Sequence, residues 1–348
     1  MNCHLVIPNL FLPESAGAEP YRDLALPALE TLLARGSHQR LSGMSLERWL
    51  AAAFRIASRQ DLPLAPINLR GDGVDPGHAC WVQADPVHLK VYRDQLLLVD
   101  ASCFEITRDE AAAMTAALSA HFSADGIEFI APVAQRWYAR VRAEPRMLTT
   151  PTVETAGRGV EPFLPAGDDG PGWRRIANEA QMLLHGHPLN EAREQRGDLP
   201  INSVWFWGTG RLADISATAP YAAVWSADPL SLGLAGIAGV PAHSLPRTGS
   251  QLLDSLRAIP DDRPQLIVID ELRAAVCGDA AAWRSALEDL EQRWFAPLLR
   301  AVKGRALQAL TLYALGPDHS LSATYTRLDQ YKLWQSRRPL IDHSGRQP

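Results

Sequence analysis

The run Gln265-Leu266-Ile267-Val268-Ile269-Asp270 constrains the fold most, because a continuous branched apolar strand between polar ends is suited to burial on both faces. That environment is a parallel sheet covered by helices. The surrounding pattern agrees: a helical stretch from Trp173 to Leu184, strands at Ser203–Trp207 and Ala222–Trp225, a helix near Leu230–Ile237, a long helix from about Ala280 to Val302 and a strand at Leu307–Leu315 alternate along the chain. Near the N-terminus, Leu5-Val6-Ile7 reads as a short strand stopped by Pro8. Ser45 reads as the N-cap of an amphipathic helix carrying Leu46, Leu50, Ala53 and Phe54. The expected class is α/β, with a mostly parallel sheet and helices on both faces.

Between these parts the character changes. Strands at Trp81-Val82, Leu96–Val99, Ile127–Ile130 and Trp137–Val141 surround a helix opened by the capping box Thr107-Arg108-Asp109-Glu110, the order of a small α+β module. The expected organisation is therefore a discontinuous core of residues 1–77 and 146–335, an inserted α+β domain at 78–145 and a flexible tail at 336–348.

Composition excludes some classes of partner. With 47% hydrophobic and 21% charged residues the chain can bury a large core, and its net charge of -5 includes no basic run longer than a pair such as Arg337-Arg338. Nucleic acid is not an expected partner. No stretch approaches a membrane span, and Met-Asn-Cys-His lacks the basic start of a signal peptide. Four scattered cysteines, Cys3, Cys80, Cys103 and Cys277, read as reduced thiols. These features together lead to an expected cytoplasmic location.

In open parallel sheets, ligands bind beyond the carboxyl ends of the strands. The residues there are Asn9, Gly208-Thr209-Gly210-Arg211, Asp270-Glu271 and Asp318-His319. Arg193, Asn202, Gly208, Gly210 and Arg211 form a candidate anion pocket, chosen on position and charge. Asp270, Glu271, Asp318 and His319 are candidate ligands for a divalent metal such as manganese. Each has a structural alternative: the carboxylates as helix caps, Asp318-His319 as a hydrogen-bonded pair, and the glycines as a strand-to-loop turn. His185 and His187, two apart, cannot share a helix face and suit helix capping better than metal binding.

Several ordered motifs carry a resemblance. They are Thr149-Thr150-Pro151, Gly159-Val160-Glu161-Pro162-Phe163-Leu164-Pro165, His187-Pro188-Leu189-Asn190, Pro200-Ile201-Asn202-Ser203, the Gly208 loop and Asp318-His319-Ser320. Over roughly Trp81 to Leu315 the chain resembles the archaeal-type cofactor-independent phosphoglycerate mutases, of the alkaline phosphatase superfamily. As a whole it is similar to the proteobacterial group named Rpf regulatory protein, type E. The mutase resemblance implies two divalent metals and a serine nucleophile. This sequence departs at those places: Pro8-Asn9 stands where the family has Asp-Gly, Ser45-Leu46-Glu47 at the nucleophile segment, Leu272-Arg273-Ala274 where it has Asp and His, and Tyr331-Lys332-Leu333-Trp334 at its last motif. Only Asp318-His319 matches the family's metal shell. The expectation is a non-catalytic relative, without a cofactor, that binds a small phosphorylated metabolite or a protein partner. The alternative is a metal-dependent 2,3-bisphosphoglycerate-independent phosphoglycerate mutase or phosphohydrolase with a rearranged site.

Overall fold

The computed structural model describes residues 1–57, 60–257, 262–277 and 280–345. The chain divides into two compact units, one of Met1–Phe54 with Thr218–Pro348 and one of Arg55–Ala217. In chain order the strands are β1 (Asn2–Ile7), β2 (Ser37–Ser42), β3 (Cys80–Tyr92), β4 (Gln95–Asp100), β5 (Ile127–Val133), β6 (Arg136–Val141), β7 (Ser203–Arg211), β8 (Ala223–Trp225), β9 (Ala242–His243), β10 (Gln265–Val268), β11 (Ala309–Ala314) and β12 (His319–Thr326).

The first unit holds a seven-stranded sheet ordered β2-β12-β11-β1-β10-β8-β9. The pairs from β11 through β9 are parallel, and β12 and β2 add antiparallel strands at one edge. The apolar run thus lies inside the sheet as β10, between β1 and β8, as its two-sided burial requires.

Because side chains alternate along a strand, Leu5, Ile7, Ile267, Leu310 and Leu312 enter one core with Leu29, Leu32, Leu252, Trp283, Leu287 and Leu298 from the helices on that face. The opposite face is covered in part by the helix Leu46–Ala53, whose Trp49 packs on Tyr313 of β11 with ring centroids 4.7 Å apart. Ser45 caps that helix: its side chain accepts from the Arg48 N–H at 3.3 Å. The expected long helix runs from Ala280 through a π turn at Glu291–Phe295 to Lys303. Glu291 in that turn accepts from the N–H groups of Ala28 at 2.6 Å and Leu29 at 3.0 Å. It supplies the acceptor that the helix Pro27–Arg35 lacks at its own N-cap, Leu26.

The second unit is built on an antiparallel sheet in which β3 is the common member. Residues 80–83 of β3 pair with β6, 87–92 with β4, and its other edge carries β7 along 80–87. The helix Arg108–His121 opens with the expected capping box of Thr107 and Glu110. Inside this unit Asp85 gathers three donors: Gln83 Nε2 at 2.9 Å, Thr152 Oγ1 at 2.5 Å and Trp207 Nε1 at 2.7 Å. Asn68 extends the chain by donating to Gln83 at 2.7 Å.

Three expectations are corrected here. The inserted unit spans 55–217 rather than 78–145, since Ser203–Arg211 pairs with β3 and not with the parallel sheet. The segment expected as a flexible tail forms a turn at Leu340–His343 with Leu340 buried in the main core, so an apolar anchor outweighs its polar composition. Of the cysteines, Cys3 and Cys80 are free thiols but Cys103 is disulfide-bonded; the side chain of Cys277 lies outside the described residues.

Burial pushes the Asp85 carboxyl up to about 6, against the opposing hydrogen bonds of Thr152, Gln83 and Trp207. The folded state therefore holds this proton more tightly than the unfolded chain, and stability from this group is present below about pH 4 and lost as pH rises to about 6. We predict that Asp85→Asn removes a downward slope on the order of 3 kcal/mol across that window. Denaturant unfolding of both proteins at stepped pH checks it; parallel pH profiles would contradict it.

Candidate functional site

At the carboxyl edge of the main sheet, β1 is followed by Asn9, β8 by Ser226 and Asp228, and β10 by Asp270. Asn9 takes a left-handed backbone conformation, φ 58°, and its carbonyl accepts from Trp283 Nε1 at 3.0 Å. Asp228 is buried and caps the helix Pro229–Ala238 by accepting from the Ser231 N–H at 2.8 Å and Oγ at 2.7 Å. Beside it lies Arg273, whose guanidinium meets Glu47 Oε1 at 2.9 Å and also feels Asp228 and Asp270. Burial works against the charge of Arg273, but the three carboxylates outweigh it and raise its pKa. Burial likewise raises the Asp228 carboxyl, opposed by Arg273 and reinforced by Asp270. One guanidinium thus sits among three carboxylates at the place where an open α/β sheet offers a ligand site.

The four candidate metal ligands are turned to separate tasks. Glu271 pairs with Arg293. Asp270 faces the Arg273 cluster, and Asp318 accepts from the Glu14 N–H at 2.8 Å. His319 lies against Phe11, centroids 5.6 Å apart, with Nε2 buried and without a partner. Burial lowers its pKa, Arg40 adds to that, and a hydrogen bond to the His343 backbone opposes it. Among the described residues no three His, Cys, Asp or Glu side chains stand together in a metal-holding group. The side chains as placed do not fit the two-metal centre implied by the mutase resemblance.

The candidate anion residues are also dispersed. Arg193 is buried: Nη1 bonds Glu110 Oε2 at 2.9 Å, Nε donates to the Leu199 carbonyl at 2.8 Å and Nη2 to that of Glu105 at 2.8 Å. It joins the helix Pro188–Arg196 to Glu110, with each of its three nitrogens engaged by the framework. Asn202 serves the backbone, accepting from the Leu89 N–H at 2.7 Å and donating to its carbonyl at 2.8 Å. Gly208 has a positive φ of 70°, and a Cβ at Gly210 would come within 2.3 Å of Pro63, so both glycines answer backbone geometry.

Gly210 and Arg211 line a cavity of about 330 Å³ in the inserted unit, together with Asp61, Glu144, Arg146 and Asp214. Arg211 meets Glu144 at 3.6 Å and Arg146 meets Asp168 at 3.1 Å. With more carboxylates than guanidiniums in the wall and both arginines paired, this cavity disfavours a multiply charged anion. Trp205 and Trp207 are buried and donate to the Thr150 carbonyl and to Asp85, which makes them framework rather than stacking platforms. His187 caps its helix by accepting from the Leu189 N–H at 3.2 Å, as its spacing suggested.

Sequence reasoning missed Glu47, Asp228 and Arg273 as members of one cluster. Asp228 was within reach of the strand-end rule, since it follows Trp225 by three positions. Glu47 and Arg273 carried no such signal, because helices place them there.

No family model matches the chain. The chain is similar to phosphoglycerate mutases over part of its length. It is 30% identical over 189 residues to the 2,3-bisphosphoglycerate-independent phosphoglycerate mutase of Methanothrix thermoacetophila, covering 49% of this chain and 46% of that protein. It is 26% identical over 149 residues to the probable enzyme of that name from Geobacter sulfurreducens, covering 42% and 37%. For that of Methanosarcina mazei the values are 29% over 118 residues, 33% and 29%. The chain thus spans less than half the length of these curated relatives. Among solved structures, the PH0037 protein from Pyrococcus horikoshii matches with a TM-score of 0.53 at 11% identity, over 93% of this chain and 87% of that one, a likeness of fold. The cofactor-independent phosphoglycerate mutase from Thermoplasma acidophilum matches with a TM-score of 0.48 at 16% identity, over 100% and 96%.

The Arg193 geometry sets a test that separates structure from ligand binding. Arg193→Ala leaves Glu110 with only the half-exposed Arg196 as ion-pair partner and the carbonyls of Glu105 and Leu199 without their donor, and we predict a stability loss of about 2 kcal/mol in urea unfolding. Retention of full stability would show that Arg193 is not needed by the framework.

Proposed function

We propose that this chain is a phosphoglycerate-mutase-like binding or regulatory protein that carries no phosphoryl-transfer centre. It acts by holding a small phosphorylated metabolite or a protein partner. The observation that carries this reading is Arg273. A permanent cation that ion-pairs with Glu47 and acts on Asp228 and Asp270 offsets part of the negative charge that a divalent ion would need at this edge. The engagement of Glu271 with Arg293 and of Asp318 with the Glu14 N–H supports it further.

One observation favours the alternative of a metal-dependent mutase or phosphohydrolase: the buried Nε2 of His319 has no partner, and Asp318 precedes it in the chain. A single experiment distinguishes them. The purified protein is analysed for metal and then assayed for phosphoglycerate mutase and phosphatase turnover with and without added manganese. We predict substoichiometric metal and no turnover above background. Turnover that needs manganese and disappears in His319→Ala would overturn the proposal.

A further inference from the structure

A second cavity, of about 260 Å³, lies wholly within the first unit, where the C-terminal segment around residues 334–343 closes over the edge of the main sheet. Its floor is apolar, with Leu33 and Leu321, and its walls are basic. His38 and Arg40 stand two apart on β2 and therefore project from the same face. Arg338 and His343 face the cavity from the C-terminal segment, and Asp342 is the one carboxylate in the lining. Among the described residues neither Arg40 nor Arg338 has an ion-pair partner, in contrast to the arginines of the other cavity. The Nε2 atom of His343 is buried and unpartnered. The segment is held in place by buried Leu340 and by Gly345, where a Cβ would lie 3.0 Å from the His319 ring.

We propose that this cavity binds a small phosphate-type anion, held between Arg40 and Arg338 with His343 donating a further hydrogen bond. Guanidinium groups contributed by two separate segments, β2 and the C-terminal segment, suit a tetrahedral oxyanion, which accepts from several directions, better than a planar carboxylate. Burial brings the His343 imidazole down to about 4, and His38 and Arg338 act in the same direction while Asp342 opposes them. It is therefore neutral near pH 7 and can donate from Nε2 without adding charge. The site does not depend on whether the sheet edge is catalytic, and His319 takes on a role at it that is unrelated to metals: it seats the segment that closes the cavity.

Calorimetric titration of the full-length protein with inorganic pyrophosphate tests the proposal. The expected result is one site per chain, weakened about tenfold or more by Arg40→Ala and by Arg338→Ala separately. Arg337→Ala removes a neighbouring charge outside the lining and should leave affinity within about twofold. Both cavity arginines are exposed, so melting temperatures should be unchanged, and Arg40→Gln and Arg338→Gln replace the alanine variants if either fails to fold. The His343 ring resonances should shift on titration in the wild-type protein. No binding up to about 10 mM, tighter binding of citrate than of pyrophosphate, or an equal loss in Arg337→Ala would overturn it.

Discussion

The pairing of β3 with three other strands is the constraint on which the rest of the architecture depends. A thirteen-residue strand can hydrogen-bond along both edges and change partner along its length, and β3 does so with β4, β6 and β7. That pairing removes Ser203–Arg211 from the parallel sheet and extends the inserted unit to 55–217. It also fixes the surroundings of the Gly208 loop, where Gly208 donates to Thr149 Oγ1 at 2.9 Å and Gly210 passes close to Pro63. The buried hydrogen bonds converging on Asp85 join β3, β7 and Thr152 within the same unit. A buried carboxylate is tolerable there because three donors answer it.

Electrostatics distinguishes the three polar regions more sharply than shape does. At the sheet edge, Arg273 among Glu47, Asp228 and Asp270 forms a self-contained charge cluster. In the inserted unit, a cavity with paired arginines and a surplus of carboxylates offers little to an anion. Under the C-terminal segment, unpaired guanidiniums and two imidazoles line a smaller cavity with one carboxylate. Ionic groups with their partners already in place serve the fold, whereas those left without partners around a cavity are available to a ligand.

The local structure was largely legible. Ser45 and Thr107 cap the helices they announce, His187 caps a helix, and the run 265–270 enters the interior of a mostly parallel sheet. The candidate sites were legible only in part. Strand-end position marked Asp270 and Asp318, but nothing local revealed that Asp318 would satisfy the Glu14 N–H or Glu271 an arginine. The tail looked polar and loose because its apolar anchor is short, with Leu340 buried and Ile341 packed beside it in an otherwise polar segment.

The sequence by itself determined the α/β class, the presence of an inserted module and the caps, because those follow from periodicity and from hydrogen bonds a few residues apart. Tertiary structure alone decided which sheet β7 joins, that Glu47, Asp228 and Arg273 meet, and that Arg40 and Arg338 share a cavity. Those outcomes depend on partners tens to hundreds of residues away. No local pattern encodes them, since burial and charge pairing are properties of the assembled fold.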